Sequence, residues 1–465
     1  MKYKVLVNKE NKIKDNYLSK VNLITTKNVL NEDTLIEEET YNKYLKLKEF
    51  IKEKLDLEIG IDTAYRDFSY QQAIYDDYLN KNGKDYCDKY VAEVGYSEHH
   101  TGLAIDIEVM IDGEFIYSDD KFNITEPVLK KIHPYLYKFG FILRYPENKE
   151  NITGYNYEPW HIRYVGEIPA KIIYENNLTL EEYLKDFGCV LYINKPKDVT
   201  SYDVVYKISN LFGIKRVGHT GTLDPLATGV MLVCVGKATK IVELLTSEDK
   251  EYIAEVKLGI KTDTLDITGE VLEEKEVPSS LNLEEVLNSF KKTYLQEVPV
   301  YSAVKVKGKK LYEYARNNID VELPKKEVTI KEIELLSNND NTFTFRSLVT
   351  KGCYIRSLIN DICKSLDTIG TMTSLVRTKQ GNIFIEKTNT LEEIESNNYK
   401  YYKIEEVLDY PIVDIKEDLL KVISNGVKVS NKWNIKDKVI FTYNDKLLGI
   451  YEVSHNNLKV WKNFN

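Results

Sequence analysis

Residues 218–229 read Gly-His-Thr-Gly-Thr-Leu-Asp-Pro-Leu-Ala-Thr-Gly and hold one carboxylate, Asp224, among small and turn-forming residues. Pro225 follows the acid, and Gly218, Gly221 and Gly229 let the backbone turn tightly and approach a ligand. A carboxylate presented this way serves as a nucleophile or a proton acceptor. An Asx-type turn uses the same residue types with no chemistry at all. A second set lies upstream. Residues 97–106 read Ser-Glu-His-His-Thr-Gly-Leu-Ala-Ile-Asp, and residues 158–161 read Glu-Pro-Trp-His. His99, Asp106 and His161 offer two imidazoles and one oxygen, which zinc accepts with a fourth position left for water. Glu158 lies near His161 in the chain and is placed to take that water's proton. Zinc brings the pKa of such a water to roughly 7. The alternative is two satisfied surface histidines beside a strand.

Elements must hold these groups. Residues 103–109 alternate as a strand, with Leu103, Ile105 and Ile107 on one side and Gly102, Ala104 and Asp106 on the other. The small residues leave room for an ion beside the carboxylate. Tyr44, Leu47, Ile51 and Leu55 recur at helical spacing. Residues 178–185 read as a short helix with Thr179 as N-cap and Gly188 as its stop. A strand starts at Cys189. Ser201 caps a helix carrying Val204, Ile208, Leu211 and Phe212, and Leu283, Val286, Leu287 and Phe290 mark another. Strands are expected around Val349, at 252–258, at 438–443 and at 447–453.

The first set resembles the catalytic loop of the bacterial tRNA pseudouridine synthases that modify uridine 55, the TruB family. The similarity continues through Lys195-Pro196, Lys250-Glu251-Tyr252, Leu258-Gly259, Thr262-Asp263-Thr264, Tyr301-Ser302-Ala303-Val304-Lys305 and residues 308–316. It ends with Lys351-Gly352-Cys353-Tyr354-Ile355-Arg356 and Leu375-Val376-Arg377-Thr378, and it runs from about residue 188 to the C-terminus. The resemblance implies a uridine isomerase that flips its target base out of the T loop of tRNA and uses no cofactor. It makes Asp224 the catalytic carboxylate, ionised to act, Arg356 the cation beside it, and Tyr252 the ring that stacks on the extruded uracil. It puts His219, Lys195, Tyr354 and Leu375 at the substrate, with His219 entering the T loop as the base leaves.

The second set resembles the zinc D-alanyl-D-alanine carboxypeptidases of the VanY type. Matching segments include residues 64–72, 140–146 and 152–155, and the similarity spans about residues 3–187. It implies that His99, Asp106 and His161 bind zinc, that Glu158 is the catalytic base and that Arg66 stabilises the developing oxyanion. Ser97 and Gln72 would line the substrate site. His100 is excluded as a ligand, because the family motif puts the ligand three residues before the Gly. The substrate is a D-Ala-ended peptide or dipeptide.

The whole chain is expected to be a multidomain α+β protein. Residues 1–187 form a zinc peptidase domain with a small antiparallel sheet. Residues 188–408 form a mixed α/β synthase domain, and 409–465 a small β-rich PUA-like RNA-binding domain. No Gly/Ser- or Pro-rich linker separates the first two, so they are expected to abut. The net charge of −9 is unusual for an RNA-binding protein, but all the excess acid lies in residues 1–188 (25 basic, 34 acidic). The remainder balances 39 basic against 39 acidic residues, and clusters such as Lys305, Lys307, Lys309 and Lys310, or Lys215 and Arg216, can meet phosphates. Five scattered cysteines with no Cys-x-x-Cys pair argue for free thiols rather than disulfides or a zinc ribbon. No apolar run reaches the roughly 18 residues of a membrane helix and no secretory leader is visible, so a cytoplasmic protein is expected, and it is expected to be a monomer. Two other readings compete: a synthase whose N-terminal domain is a non-catalytic binding module, and a non-catalytic tRNA-folding protein. Asp224, Tyr252 and Arg356 together speak against the second.

Overall fold

Strand Ala104–Ile111 is the hub of the N-terminal sheet in this computed structural model, which describes residue 3 and residues 5–118, 121–317 and 319–464. Its neighbours are Ile59–Thr63 on one side and His161–Tyr164 on the other, with Phe141–Leu143 and Glu114–Ile116 completing five antiparallel strands. The register sets Asp106 directly opposite His161. A bulge between Ile61 and Thr63 falls beside Asp106, where such an irregularity re-aims side chains. Ile105, Ile107 and Val109 pack against Tyr44, Leu47 and Ile51 of helix Glu38–Leu55. Each such side chain contributes roughly 1.5–3 kcal/mol on burial. The predicted helix periodicity is therefore the one observed. Its N-cap is Glu37, whose carboxylate accepts from Thr40 N at 2.9 Å.

By contacts the chain divides into two units, Met1–Phe187 with Ile208–Lys215, and Gly188–Lys207 with Arg216–Asn465. The second unit is built on a ten-stranded sheet. At its centre Thr228–Gly236 lies between Gly188–Lys195, antiparallel, and Gly370–Gln380, parallel. Lys250–Leu258, Thr342–Val349, Lys325–Asn339 and Thr293–Glu297 extend it outward. The last strands form a separate five-stranded sheet in the order Ile412–Asp414, Lys438–Tyr443, Lys446–Ser454, Asn457–Asn463, Val429–Ser430. Strand alternation gives that sheet two cores. Val439 and Phe441 pack with Tyr451 and Leu458, whereas Ile440 and Ile450 pack with Val190, Leu232 and Ile404 of the larger sheet's layer. The architecture is a mixed α/β multidomain protein with a C-terminal β half-barrel of PUA-like form. Among the described residues no helix is long and apolar enough to cross a membrane, and all five cysteines are free.

Two local expectations are corrected. Helix Leu180–Asp186 has the Thr179 cap, completed by Glu182, but Gly188 is not its stop. Gly188 opens the next strand, and a Cβ there would meet Ala238 N at 2.8 Å, so close packing selects the glycine. Helix Ser201–Phe212 is capped by Thr200, whose Oγ1 accepts from Asp203 N at 3.1 Å while the Asp203 carboxylate accepts from Thr200 N at 3.1 Å. Ser201 is thereby free for another task, described below.

Gly229 sits at φ +102°, and a Cβ added there would lie 2.2 Å from the Arg377 carbonyl oxygen. Gly229→Ala is expected to cost about 2–5 kcal/mol, combining backbone strain and overpacking. Urea denaturation checks this, and an unchanged midpoint would contradict the packing account.

Candidate active sites

The loop that carries Asp224 is pinned from several sides. Ser201 Oγ accepts from Leu223 N at 2.9 Å and donates to Leu223 O at 3.0 Å, which fixes the residue just before the acid. Pro225 O accepts from Asp198 N at 2.8 Å. Lys195 Nζ donates to the carbonyls of Pro196, Val199 and Pro225 at 2.8, 2.6 and 3.3 Å. Gln380 Nε2 holds Thr220 Oγ1 at 2.6 Å, and Arg377 Nη2 reaches Gly221 O at 3.2 Å.

Against this loop stands the first turn of helix Ile355–Ser365. Arg356 Nε lies 2.8 Å from Asp224 Oδ2, with the arginine side chain 5% and the aspartate 33% exposed. The other two guanidinium nitrogens donate to Thr264 O at 2.8 Å and Tyr301 O at 2.9 Å. All three nitrogens therefore have assigned partners, and the fork aims one of them at the carboxylate. A cavity of about 350 Å³ opens here, lined by Asp224, Tyr252, Tyr354, Leu375, Lys250 and Arg377 among others. That volume falls within the roughly 300–1,000 Å³ of small-molecule sites. Tyr252 reaches it from a strand whose register shifts between Glu251 and Tyr252.

Two of the expected substrate contacts stand apart from this cavity. Lys195 is fully buried behind the loop with its ammonium occupied by three carbonyls, so it braces the loop instead of touching a ligand. Burial pushes its pKa down to about 8, against the pull of Asp224. His219 is half-buried on strand Val217–His219 with Nδ1 accepting from Gly221 N at 3.3 Å, and it is not among the lining residues. Burial and then Arg377 lower its pKa. Sequence reasoning passed over Lys250, Lys351 and Arg377, the cations around the cavity. Lys250 precedes Tyr252 by two, the strand spacing that places both on one face. Burial, reinforced by Arg377, lowers the Lys250 pKa to about 8.

Arg356→Lys is expected to lower turnover about 10²–10³-fold, because Thr264 O, Tyr301 O and Asp224 are each met by a different nitrogen of the planar guanidinium fork, and a single ammonium nitrogen cannot stand at all three places. Single-turnover kinetics on the substrate proposed below measure this, and near-normal rates would remove the guanidinium from the account.

In the N-terminal unit, His99, Asp106 and His161 are all buried and present ligand atoms within 4.8 Å of one another. His99 Nε2 is 3.2 Å from Asp106 Oδ2, and His161 Nδ1 is 3.1 Å from Asp106 Oδ1. The Ala64 carbonyl lies 2.6 Å from His99 Nδ1, so that nitrogen carries the proton and Nε2 presents its lone pair. Asp106 Oδ1 is buried with no hydrogen-bond partner, an acceptor that suits a cation. Burial pushes the Asp106 carboxyl up, but the two imidazoles outweigh it and hold it well below the usual range. The donor set therefore fits zinc by residue type and spacing. Glu158 Oε2 is 3.6 Å from His161 Nδ1, and Arg66 Nη2 donates to Asp106 Oδ2 at 2.6 Å.

These groups border a cavity of about 1,360 Å³. Ser97 lines it and its Oγ accepts from His99 N at 3.3 Å. Gln72 does not line it. It is exposed on helix Phe68–Asn82, and its amide donates to Asp76 at 2.9 Å. Gln71 lines the cavity instead, buried, with Nε2 donating to Ala92 O at 2.8 Å and Oε1 lacking a partner. One residue along a helix is a turn of about 100°, enough to exchange inside for outside. His100 is structural: Nδ1 faces Arg66 O at 2.7 Å and Nε2 accepts from Gly95 N at 3.0 Å.

Comparison with known proteins matches both halves. Residues 33–167 match the family model described as D-alanyl-D-alanine carboxypeptidase, VanY. Residues 209–355 match the N-terminal domain of the TruB family of pseudouridylate synthases. The tRNA pseudouridine synthase B of Caldanaerobacter subterraneus subsp. tengcongensis is 42% identical over 259 residues, covering 55% of this chain and 91% of its own. A solved VanYB in complex with D-alanine-D-alanine is 31% identical and covers 39% of this chain and 97% of its own, at a TM-score of 0.33. A solved D,D-pentapeptidase VanY from a VanB-type resistance cassette, in complex with Zn(II), is 30% identical and covers 40% of this chain and 100% of its own, at a TM-score of 0.34.

Proposed function

Because this chain belongs to the tRNA pseudouridine synthase B family and carries a VanY-type carboxypeptidase domain ahead of the synthase, we propose that it isomerises uridine 55 in tRNA and trims D-Ala-ended peptides. The first activity rests on one observation, Asp224 held 2.8 Å from Arg356 at the wall of a nucleoside-sized cavity. The target uridine must leave the T-loop stack, at a cost of roughly a few kcal/mol. Tyr252 then stacks on the extruded base, and Tyr354 and Leu375 wall it in. Asp224 acts as the anionic group at the nucleoside, and Arg356 keeps it aimed. The bond from C1′ to N1 breaks, a bond from C1′ to C5 forms, and one proton passes from C5 to N1. The balance needs no co-reactant. Lys351, exposed beside the cavity, meets the negative backbone of the RNA, and His219 acts at the T loop, while Lys195, Lys250 and Arg377, each buried and bonded to backbone carbonyls, brace the site. Purified protein with a T-arm RNA bearing uridine 55 tests this. Mass mapping should find pseudouridine at that position alone, and an unmodified uridine would refute the assignment.

The second activity rests on the buried cluster of His99, Asp106 and His161. These three residues would hold zinc, which supplies Lewis acidity and lowers the pKa of a water in its open position. Glu158 takes the proton of the attacking water and passes it to the leaving amine. Arg66 stabilises the oxyanion that develops on the scissile carbonyl, and Ser97 and Gln71 contact the peptide. Residues 1–187, 188–408 and 409–465 are the corresponding functional modules. Dialysis against a chelator is expected to abolish D-Ala release and to leave pseudouridine formation within about twofold of its starting rate. Hydrolysis that persists without metal would exclude the zinc reading. A synthase lost with the metal would exclude the division of labour.

A further inference from the structure

Behind the metal-ligand set lie four charged groups that the peptidase chemistry does not use: Glu98, Arg144 and Arg163, all buried, and Glu181, partly buried. Glu98 Oε1 accepts from Arg144 Nε at 2.9 Å and from Arg163 Nη1 at 2.7 Å. Its other oxygen, Oε2, is buried with no hydrogen-bond partner, and so is His161 Nε2. These two atoms face each other at 3.8 Å. His161 turns Nδ1 to Asp106, so Nε2 is its second nitrogen. Metal-ligating imidazoles usually donate that second N–H to a carboxylate or carbonyl, which fixes the ring and its tautomer. An approach of about 1 Å makes the bond.

Both arginines are anchored by residues outside the stretch 33–167 that matches the carboxypeptidase model. Arg144 donates both terminal nitrogens to the Glu181 carboxylate, at 3.0 and 2.6 Å. Glu181 sits in the first turn of helix Leu180–Asp186, and Asn8 Nδ2 donates to the same carboxylate at 3.0 Å. Arg163 Nη2 donates to the carbonyls of Tyr3 at 3.2 Å and Val5 at 2.8 Å. Two cations and two anions thus balance in a buried site, with one carboxylate oxygen left over for His161. Without Glu181, two guanidinium groups would compete for Glu98 alone.

We propose that Glu98 is the positioning residue that aims His161 at the metal, and that Glu181, with the carbonyls of Tyr3 and Val5, holds Glu98 in place. The proposal rests on the zinc reading above. Its test is metal binding by the purified full-length chain, stripped of metal and titrated with zinc against a chromophoric chelator, then with cobalt(II) for its visible spectrum. The wild type should bind one equivalent. Glu98→Gln should bind about 10–100-fold more weakly. Glu181→Gln should lose at least about tenfold and alter the cobalt spectrum, and Glu181→Asp should recover most of both. Should Glu181→Gln fail to fold, the charge-balanced pair Arg144→Met with Glu181→Met carries the same expectation. Pseudouridine formation by each preparation serves as the control and should not change. Wild-type affinity and spectrum in Glu98→Gln and the Glu181 variants would overturn the positioning role. A wild type that binds no metal would instead overturn the zinc reading on which the role depends.

Discussion

Asp224→Asn is expected to lower pseudouridine formation by at least about 10⁴-fold while tRNA binding stays within a few-fold. The substitution keeps size and shape, and the loop that presents the residue is held by Ser201, Lys195 and Gln380, none of which bonds to the Asp224 side chain. Only the charge is removed. The RNA contacts that give affinity come from phosphates and stacked bases, so binding should survive. Arg356 is left with its two carbonyl partners and without its anion. Asp224 is one-third exposed, so water can replace part of that interaction and the domain should stay folded. Filter binding and mass mapping on the same preparation separate affinity from turnover. An Asn variant that still converts uridine at the wild-type rate places the reacting group elsewhere.

Glu158→Gln should reduce D-Ala release about 10²–10⁴-fold with zinc content unchanged. Glu158 stands near His161, at 3.6 Å, but is not one of the three residues whose ligand atoms cluster. A neutral amide of the same size cannot accept the water's proton. Metal analysis by mass spectrometry and a D-Ala assay on one sample decide the matter. Loss of zinc together with activity would make Glu158 a ligand instead of a base. Retained activity would give its role to another group.

The clustering of His99, Asp106 and His161 and the turn at Asp224 were legible because short motifs encode them. Strand alternation put Asp106 on the face of Gly102 and Ala104, and the register then brought His161 opposite it. What escaped was set by three-dimensional phase and depth. Gln72 and Gln71 are adjacent in the chain, and only the helix phase shows that Gln71 faces the cavity. Lys195 belongs to a recognisable segment, yet nothing in its type distinguishes a ligand contact from an ammonium buried under three carbonyls. Glu98, Arg144, Arg163 and Glu181 come together from positions up to 83 residues apart between Glu98 and Glu181. No local pattern announces such pairing. Gly188 read as a helix stop because glycine commonly is one, whereas its cause is the backbone of Ala238 pressed against it.

This chain should convert uridine to pseudouridine at one tRNA position only while Arg356 holds its anion. The most direct measurement maps pseudouridine in tRNA from cells lacking this gene, complemented with the wild-type chain or with Asp224→Asn. The account predicts uridine at position 55 in the deletion, pseudouridine on complementation with the wild type, and uridine again with the Asn variant. Pseudouridine at that position in the deletion strain, or its return with Asp224→Asn, would contradict it.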